Sequence, residues 1–224
     1  MLCACSATRY VAADAPVVDG ITLIKPFSYI QYVDTEGSVY DSLRSDVNQN
    51  LLNSAIRATS LPITDSVCVE GLPNQKSLDE SLFALTLVNP RELQDLRIDP
   101  VMDSLLEARG ARFGLMVFSD GFVKDNKQYG REFSKVLVGG LVGGLAGAAI
   151  GGAVSAASGG VWSAGYNSVV IIGAKYGTVV YAMVVDSQTD RVVYFNKVGP
   201  AEKNPENPAT VTWVVERLFK KFPF

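Results

Sequence analysis

Alternating or continuous apolar positions predict strands in several parts of the chain. Branched and aromatic residues alternate with polar ones from Ile21 to Val33, and Pro26 indicates a break or a sheet edge within that run. The apolar run from Ala111 to Ser119, which Phe122 and Val123 extend, predicts a central strand. Further strands are predicted at 66–70, 168–173, 178–186 and 191–196, with hairpin turns at 175–177 and 187–190.

A period of three to four residues predicts helices between these strands. The first runs from Asp41 to Thr59, with its apolar positions at Leu43, Val47, Leu51, Leu52, Ala55 and Ile56. A closing helix is predicted from Ala209 to Phe222. Cap signals at 77–80, 89–90 and 99–100 predict short helices, of which the last ends at Gly110, although 83–88 equally fits a strand. This order of elements predicts an α+β fold, a mixed sheet with helices packed on it.

A long glycine-rich stretch interrupts the predicted domain. Residues 136–157 carry no charged side chain, and glycines recur every four positions in two registers: Gly139, Gly143, Gly147 and Gly151, then Gly140, Gly144 and Gly152. On a helix this spacing gives a smooth stripe that another backbone can approach closely. Residues 136–160 are therefore predicted to be a helical insertion for helix packing or membrane contact. The alternative is a buried or loosely ordered insertion within a soluble domain.

Composition limits the number of domains and the classes of function. The chain of 224 residues suffices for one substantial domain with an insertion or for two small domains, and the first is predicted here, at 20–224. An apolar content of 48% excludes a mainly disordered chain. The net charge is −3 and the basic residues are scattered, so no nucleic-acid partner is predicted. The chain contains no histidine, which excludes Ser-His-Asp and Cys-His catalysis and histidine-ligated zinc.

Other catalytic signals are weak. Neither glycine fingerprint for phosphate binding is present. Carboxylate pairs stand only at predicted caps or turns, at 79–80, at Asp95 with Asp99 and at Asp186 with Asp190. We therefore expect no enzyme, no cofactor and no metal site. A histidine-free active site is the alternative, and it would need two converging carboxylates in an apolar cleft.

The first residues resemble a bacterial lipoprotein processing site. In Leu2-Cys3-Ala4-Cys5-Ser6 a leucine stands three positions before Cys5 and a small residue directly precedes it, so Cys5 is the predicted lipid attachment point. The charged and apolar regions of a signal peptide are missing upstream, so either the gene product is longer or the likeness is chance. Ser6 is compatible with sorting to the outer membrane. Residues 1–19 are predicted as this start and a polar tether from Thr8 to Asp19. Cys68 is predicted to be a small buried residue.

Two segments resemble a known family. The segment from Pro100 to Val117, a helix ending in Gly-Ala before a core strand, and the hairpin from Val179 to Phe195 resemble CsgG-like and TolB amino-terminal-like envelope lipoproteins. In the hairpin Asp190 stands where the family has glycine, and aspartate also adopts left-handed turn geometry. The resemblance implies a lipid-anchored periplasmic domain that binds envelope proteins or assembles into rings, and it implies no catalytic residues. The insertion does not alternate as a pore-forming strand would, and it resembles the glycine zippers of small outer-membrane lipoproteins.

Two functions are therefore carried forward. The first is a non-enzymatic envelope lipoprotein that acts as a protein-binding or assembly module at the periplasmic side of the outer membrane. Its predicted partners are the membrane, through a lipid anchor and the glycine-rich segment, other envelope proteins and further copies of the chain. The alternative is an oligomeric membrane-inserting subunit of a secretion or pore-like assembly that packs through the glycine stripe.

Overall fold

A computed structural model of the chain describes residues 9–69, 93, 97, 100–142 and 173–222. These residues form eight strands and four helices. The strands are β1 (Arg9–Val11), β2 (Ile21–Ile24), β3 (Phe27–Val33), β4 (Ser38–Tyr40), β5 (Ile63–Val67), β6 (Phe113–Lys124), β7 (Tyr176–Asp186) and β8 (Arg191–Ala201). The helices are α1 (Ser42–Arg57), α2 (Pro100–Glu107), α3 (Asn126–Val142) and α4 (Pro208–Phe219).

All eight strands belong to one mixed sheet. Strand β6 lies in its interior, with β7 antiparallel on one side and both β2 and β3 parallel on the other. Strand β2 pairs with the beginning of β6, and β3 pairs with its last seven residues. Strands β5 and β4 extend that side of the sheet, while β8 and β1 extend the other. The predicted α+β fold with a mixed sheet is confirmed.

The break between β2 and β3 falls where the sequence predicts it. Lys25 and Pro26 separate the two strands. Because proline has no N–H to donate, a strand ladder is interrupted at this residue. The N–H of Lys25 donates to the carbonyl of Val67, 2.8 Å away, so this side of the break is held by the neighbouring strand β5.

Alternate residues of β6 bury against opposite layers. Phe113, Leu115 and Val117 belong to a core that also contains the buried apolar residues of α1 and α4. Met116 belongs to a second core with the buried residues of α2. Successive side chains of a strand point to opposite faces, so a continuous apolar run serves two layers at once. The sheet thus lies between α1 and α4 on one face and α2 on the other.

Helix α4 is fixed at both ends. Asn207 caps its start through its side-chain oxygen, and Pro208 occupies the first helical position. At the other end the carbonyl of Leu218 accepts hydrogen bonds from the buried Tyr194 hydroxyl and from Nδ2 of Asn196, the latter at 2.7 Å. These contacts fasten the helix to β8.

Three predictions of local structure are wrong. The predicted tether contains β1, which pairs with β8 through a contact far away in sequence that no local pattern reveals. The predicted turn at 175–177 lies mostly within β7, and Gly177 is needed there because an added Cβ would lie 2.1 Å from the ring of Phe122. Cys68 is exposed, since it alternates with the buried Val67 and Val69 beside an edge strand.

Turn geometry agrees with the sequence at two positions. Gly110 ends the α2 region with a φ of 60°, and Asp190 adopts the left-handed region with a φ of 53°. The cap signals at 77–80 and 89–90 lie outside the described residues, as does the strand predicted at 168–173 except for Gly173, which lies in a turn. Within the described ranges no helix is both long and apolar enough to cross a membrane.

Candidate functional site

The structure describes two of the predicted site residues. Gly139 and Gly140 lie near the end of α3, which is helical as far as Val142. The other predicted site residues lie outside the described part of the chain: Cys5, Gly143, Gly144, Gly147, Gly151 and Gly152. The structure shows how the start of the glycine-rich segment is attached to the sheet. We take this attachment as the candidate site.

Helix α3 begins directly at the end of the sheet. The carboxylate of Asp125 accepts the N–H of Gln128 at 2.5 Å, and the carbonyl of Asp125 accepts the N–H of Tyr129 at 3.0 Å, as at a helix N-cap. The N–H of Asp125 donates to the carbonyl of Val33 in β3 at 2.9 Å. The first turn of α3 is therefore fixed to the ends of both β3 and β6.

A buried ion pair joins this helix to β6. The ammonium of Lys124, whose side chain is 0% exposed, lies 2.5 Å from the carboxylate of Glu132, which is 16% exposed. The same carboxylate accepts a hydrogen bond from Nε2 of Gln128 at 2.6 Å. The Lys124 ammonium also lies 5.2 Å from the centre of the Phe122 ring. A buried charge needs such partners, because isolated burial is very costly.

These contacts set the charge state of Glu132. Burial alone would raise the pKa of its carboxyl, but hydrogen bonds from Lys124, from the Gly173 N–H and from Gln128 outweigh burial and hold the pKa below its usual value. The carboxylate is thus the favoured form of Glu132 in the folded protein.

The same carboxylate also holds the returning chain. The N–H of Gly173 donates to Oε2 of Glu132 at 3.1 Å, a contact that spans 41 residues of sequence. Gly173 has a φ of 82°, a region that disfavours any residue with a Cβ. Two residues later, the carbonyl of Lys175 accepts the N–H of Lys124 at 2.9 Å. We call the cluster of Lys124, Gln128, Glu132 and Gly173 the root.

Beyond its first turn α3 carries an exposed aromatic side chain. Phe133 is 45% exposed, and its ring lies 5.8 Å from that of Tyr129, one helical turn earlier. In a monomer this ring would leave apolar surface in contact with water. A single exposed aromatic side chain is nevertheless common on protein surfaces.

An open cleft of about 490 Å³ lies beside the root. Arg44 in this cleft is ion-paired with Asp41 at 3.0 Å and with Glu206. Side chains of both charge signs line the cleft: Tyr32, Arg44, Lys124, Asp125, Lys127, Lys175, Tyr176 and Glu206. Such a mixture of signs does not select one class of ligand.

The carboxylate pair that the structure describes has a structural role. Asp186 is buried and accepts two hydrogen bonds from Arg112, at 3.0 and 2.9 Å. Burial would raise the pKa of Asp186, but these bonds and the N–H of Gln188 hold it below its usual value. Asp190 forms the adjoining turn. Among the described residues, no three or more histidine, cysteine, aspartate or glutamate side chains are placed to hold a metal ion.

Sequence reasoning missed the root. One signal was available, since Gln128 and Glu132 are four residues apart and so share a helix face. A second was Lys124, a charge that closes a strongly apolar strand. The return contact at Gly173 has no local sequence signal.

Comparisons with known proteins leave the chain without a family assignment. No family model matches it, and no curated protein matches it. Among solved structures, the PelC dodecamer from Paraburkholderia phytofirmans is similar over 92% of this chain and 91% of that one, with 8% identity and a TM-score of 0.37. A point variant of the same dodecamer in another crystal form gives 8% identity, 92% and 90% coverage and a TM-score of 0.37.

Proposed function

We propose that this protein is a non-enzymatic assembly module of the bacterial cell envelope. In this proposal the α+β body presents a glycine-rich helix that packs closely against further copies or other envelope proteins. A lipid on Cys5 anchors the body at the periplasmic side of the outer membrane. The observation that carries the proposal is the course of α3, which is fixed to the sheet by the root and remains helical through Gly139 and Gly140.

The composition of this helix supports a packing role. Each glycine in a helix interior costs about 1 kcal/mol relative to alanine. A sequence with seven glycines in its two registers therefore weakens the helix considerably unless close packing offsets the loss. Glycine is suited to that role because it lets two backbones approach without intervening side chains.

The position of the stripe on α3 follows from helix geometry. At 100° per residue, Gly139 lies about 20° from Glu132 around the helix axis, which is the same face. Gly130 lies about 160° from Glu132, on the opposite face. The stripe therefore begins on the side of α3 that faces the root. A second backbone packed on it would lie beside the body and not on the far side of the helix.

Substituting leucine for stripe glycines tests the packing. Gly143→Leu with Gly147→Leu should shift a detergent-solubilised oligomer to smaller species, measured by chemical crosslinking and by light scattering after gel filtration. Leucine favours helix more than glycine by about 1 kcal/mol. Dissociation of the oligomer would therefore show that the leucine side chains block the close approach of two helices, and not that the helix has unfolded.

Gly130→Leu is the matched control for this experiment. It lies in α3 on the face opposite Gly139, and an added Cβ there meets no atom within 4 Å. We expect this variant to keep the parent oligomer. An oligomer that survives in the double variant would show that the stripe is not an interface, and equal dissociation of the control would show a non-specific effect.

The anchor has a separate test. The full-length gene product, labelled in cells with a radioactive fatty acid, should lose its label in Cys5→Ala. Cys3→Ala, two residues away, should keep it. Unchanged labelling of Cys5→Ala would contradict the anchor without affecting the packing proposal.

A further inference from the structure

Both ends of the glycine-rich segment are held at one place on the body. The N–H of Gly173 donates to Oε2 of Glu132 at 3.1 Å, although 41 residues of sequence separate the two. Ala174, the next residue, is 4% exposed and packs with Val33 and Phe122 in a small core. The chain therefore returns to the point from which α3 leaves the sheet.

Helix α3 carries the outgoing chain away from this point. It remains helical as far as Val142, ten residues beyond Glu132, which is about 15 Å along the axis at 1.5 Å per residue. The 30 residues from 143 to 172 bring the chain back over that distance to Gly173. A segment whose two ends are held together in this way cannot cross a bilayer once, because a single crossing separates its ends by the hydrocarbon thickness of about 30 Å.

The returning chain arrives on one face of α3. Around the helix axis, at about 100° per residue, Val136 lies about 40° and Gly139 about 20° from Glu132. These two positions therefore share the face from which Glu132 reaches the N–H of Gly173. Gly130 lies about 160° from Glu132, and an added Cβ there meets no atom within 4 Å. The face of α3 around Val136 and Gly139 is thus the one that points toward the returning chain.

The composition of the residues before Gly173 suits them to packing against this face. Residues 166–172 carry no charged side chain, and those from Val169 to Ile172 are all valine or isoleucine. Removal of such apolar side chains from water is favourable. Gly139 has no side chain, so a second backbone can approach α3 closely at that position.

The length of the returning segment matches the distance that it has to cover. Gly139 lies seven residues beyond Glu132, about 10 Å along α3. The seven residues 166–172 span about 10 Å as a helix and about 23 Å when extended, so they reach the level of Gly139 in either conformation. A segment of another copy would compete for this face with a chain that Glu132 already holds beside it.

We propose that residues 166–172 of the same chain cover the face of α3 around Val136 and Gly139, so that the glycine-rich segment leaves and re-enters the body as a hairpin. The proposal rests on the contacts of the root, and it holds with or without a lipid on Cys5. It goes beyond the proposed function because it names the first partner of α3. The glycines from Gly143 onward are left for other copies or envelope proteins.

Disulfide formation between engineered cysteines tests this packing in the full chain. The three native cysteines are replaced by serine, so that only the engineered thiols remain. Gly139→Cys is combined in turn with a cysteine substitution at each position from 166 to 170, and each purified protein is oxidised mildly. A disulfide requires Cα atoms within about 7 Å of each other. We expect at least one position to form a disulfide with Gly139→Cys, in a yield about tenfold above that of the matched control, which carries Gly130→Cys on the opposite face of α3.

An equal mixture of unlabelled and isotope-labelled protein shows which chain provides the partner. Mass spectrometry of the linked peptides should find only pairs of one label, because both thiols belong to the same chain. Val136→Cys with cysteine substitutions at positions 168–172 should link in the same way, which keeps the test valid if Gly139→Cys fails to fold. Pairs of mixed label would overturn the proposal and place a second copy on this face. Absence of links at both α3 positions, or equal yields in the control, would overturn it too. The oligomer test above remains separate, since links of one label in a monomeric chain would support the hairpin and contradict packing between copies.

Discussion

Replacing Glu132 by glutamine should weaken the root while leaving both apolar cores in place. The variant keeps the shape of the side chain but leaves the ammonium of Lys124, which is 0% exposed, without this carboxylate. Removing one partner of a buried ion pair costs about 3–5 kcal/mol. Because 16% of the Glu132 side chain remains in water, we expect a loss near the lower end, about 3 kcal/mol.

The loss should depend on pH in a defined direction. The pKa of Glu132 is lower in the folded state than the ordinary glutamate value of 4.5. The stability that the Glu132 carboxylate contributes to the fold is therefore fully present above pH 4.5 and is lost as the pH falls through the lower pKa of the folded state. The difference in unfolding free energy between parent and Glu132→Gln should therefore be constant near neutral pH and should shrink below 4.5.

Thermal unfolding followed by circular dichroism at several pH values measures this difference. A loss of about 3 kcal/mol corresponds to a fall in Tm of about 6–12 °C in a domain of this size. Glu216→Gln makes the same chemical change at an exposed position of α4 and should alter Tm by no more than about 2 °C. Equal Tm values for parent and Glu132→Gln, or a difference that does not change on acidification, would refute the assigned role of the carboxylate.

Two further predictions concern the sheet. Gly121→Ala should lower the free energy of unfolding by about 1–3 kcal/mol, because the new Cβ would lie 2.6 Å from a backbone oxygen of β7. The control Gly130→Ala in α3 should raise it by up to about 1 kcal/mol. Urea unfolding measures both variants, and equal effects would contradict the close packing at Gly121. Burial and the nearby carboxylate of Asp120 raise the pKa of Tyr181 to about 12. Asp120→Asn should therefore lower that pKa, which NMR of ring-labelled tyrosine measures. An unchanged pKa would contradict the proximity of the carboxylate.

Local pattern was sufficient for the elements whose own residues decide their structure. The run from Phe113 to Phe118 is apolar because both faces of the strand are buried, and such a run indicates an interior strand without knowledge of its neighbours. Pro26 interrupts a ladder wherever it stands, and the cap and proline before α4 mark its start. These features gave the α+β class and most of the core.

Local pattern failed where contacts with residues far away in the sequence determine the structure. Strand β1 exists because Arg9 to Val11 pair with β8, and its own residues are mostly half-exposed. In α1 the helical period assigned Leu43 and Val47 to the core, but hydrogen bonds to β3 and to the loop before α4 favour burial of Ser45 and Asn48. The root was missed for the same reason, since its polar residues become buried only when α3 folds back against Lys124.

The root is also joined to the carboxyl end of β3. The carbonyl of Val33 accepts the N–H of Asp125, which caps α3, and the next residue, Asp34, opens the turn into β4. Strand β3 pairs along its whole length with buried residues of β6, so it resists displacement at this end. A helix packed on α3 would therefore bind next to an element that the sheet holds in place. It follows that the sheet, through the root, sets the direction in which α3 leaves the body.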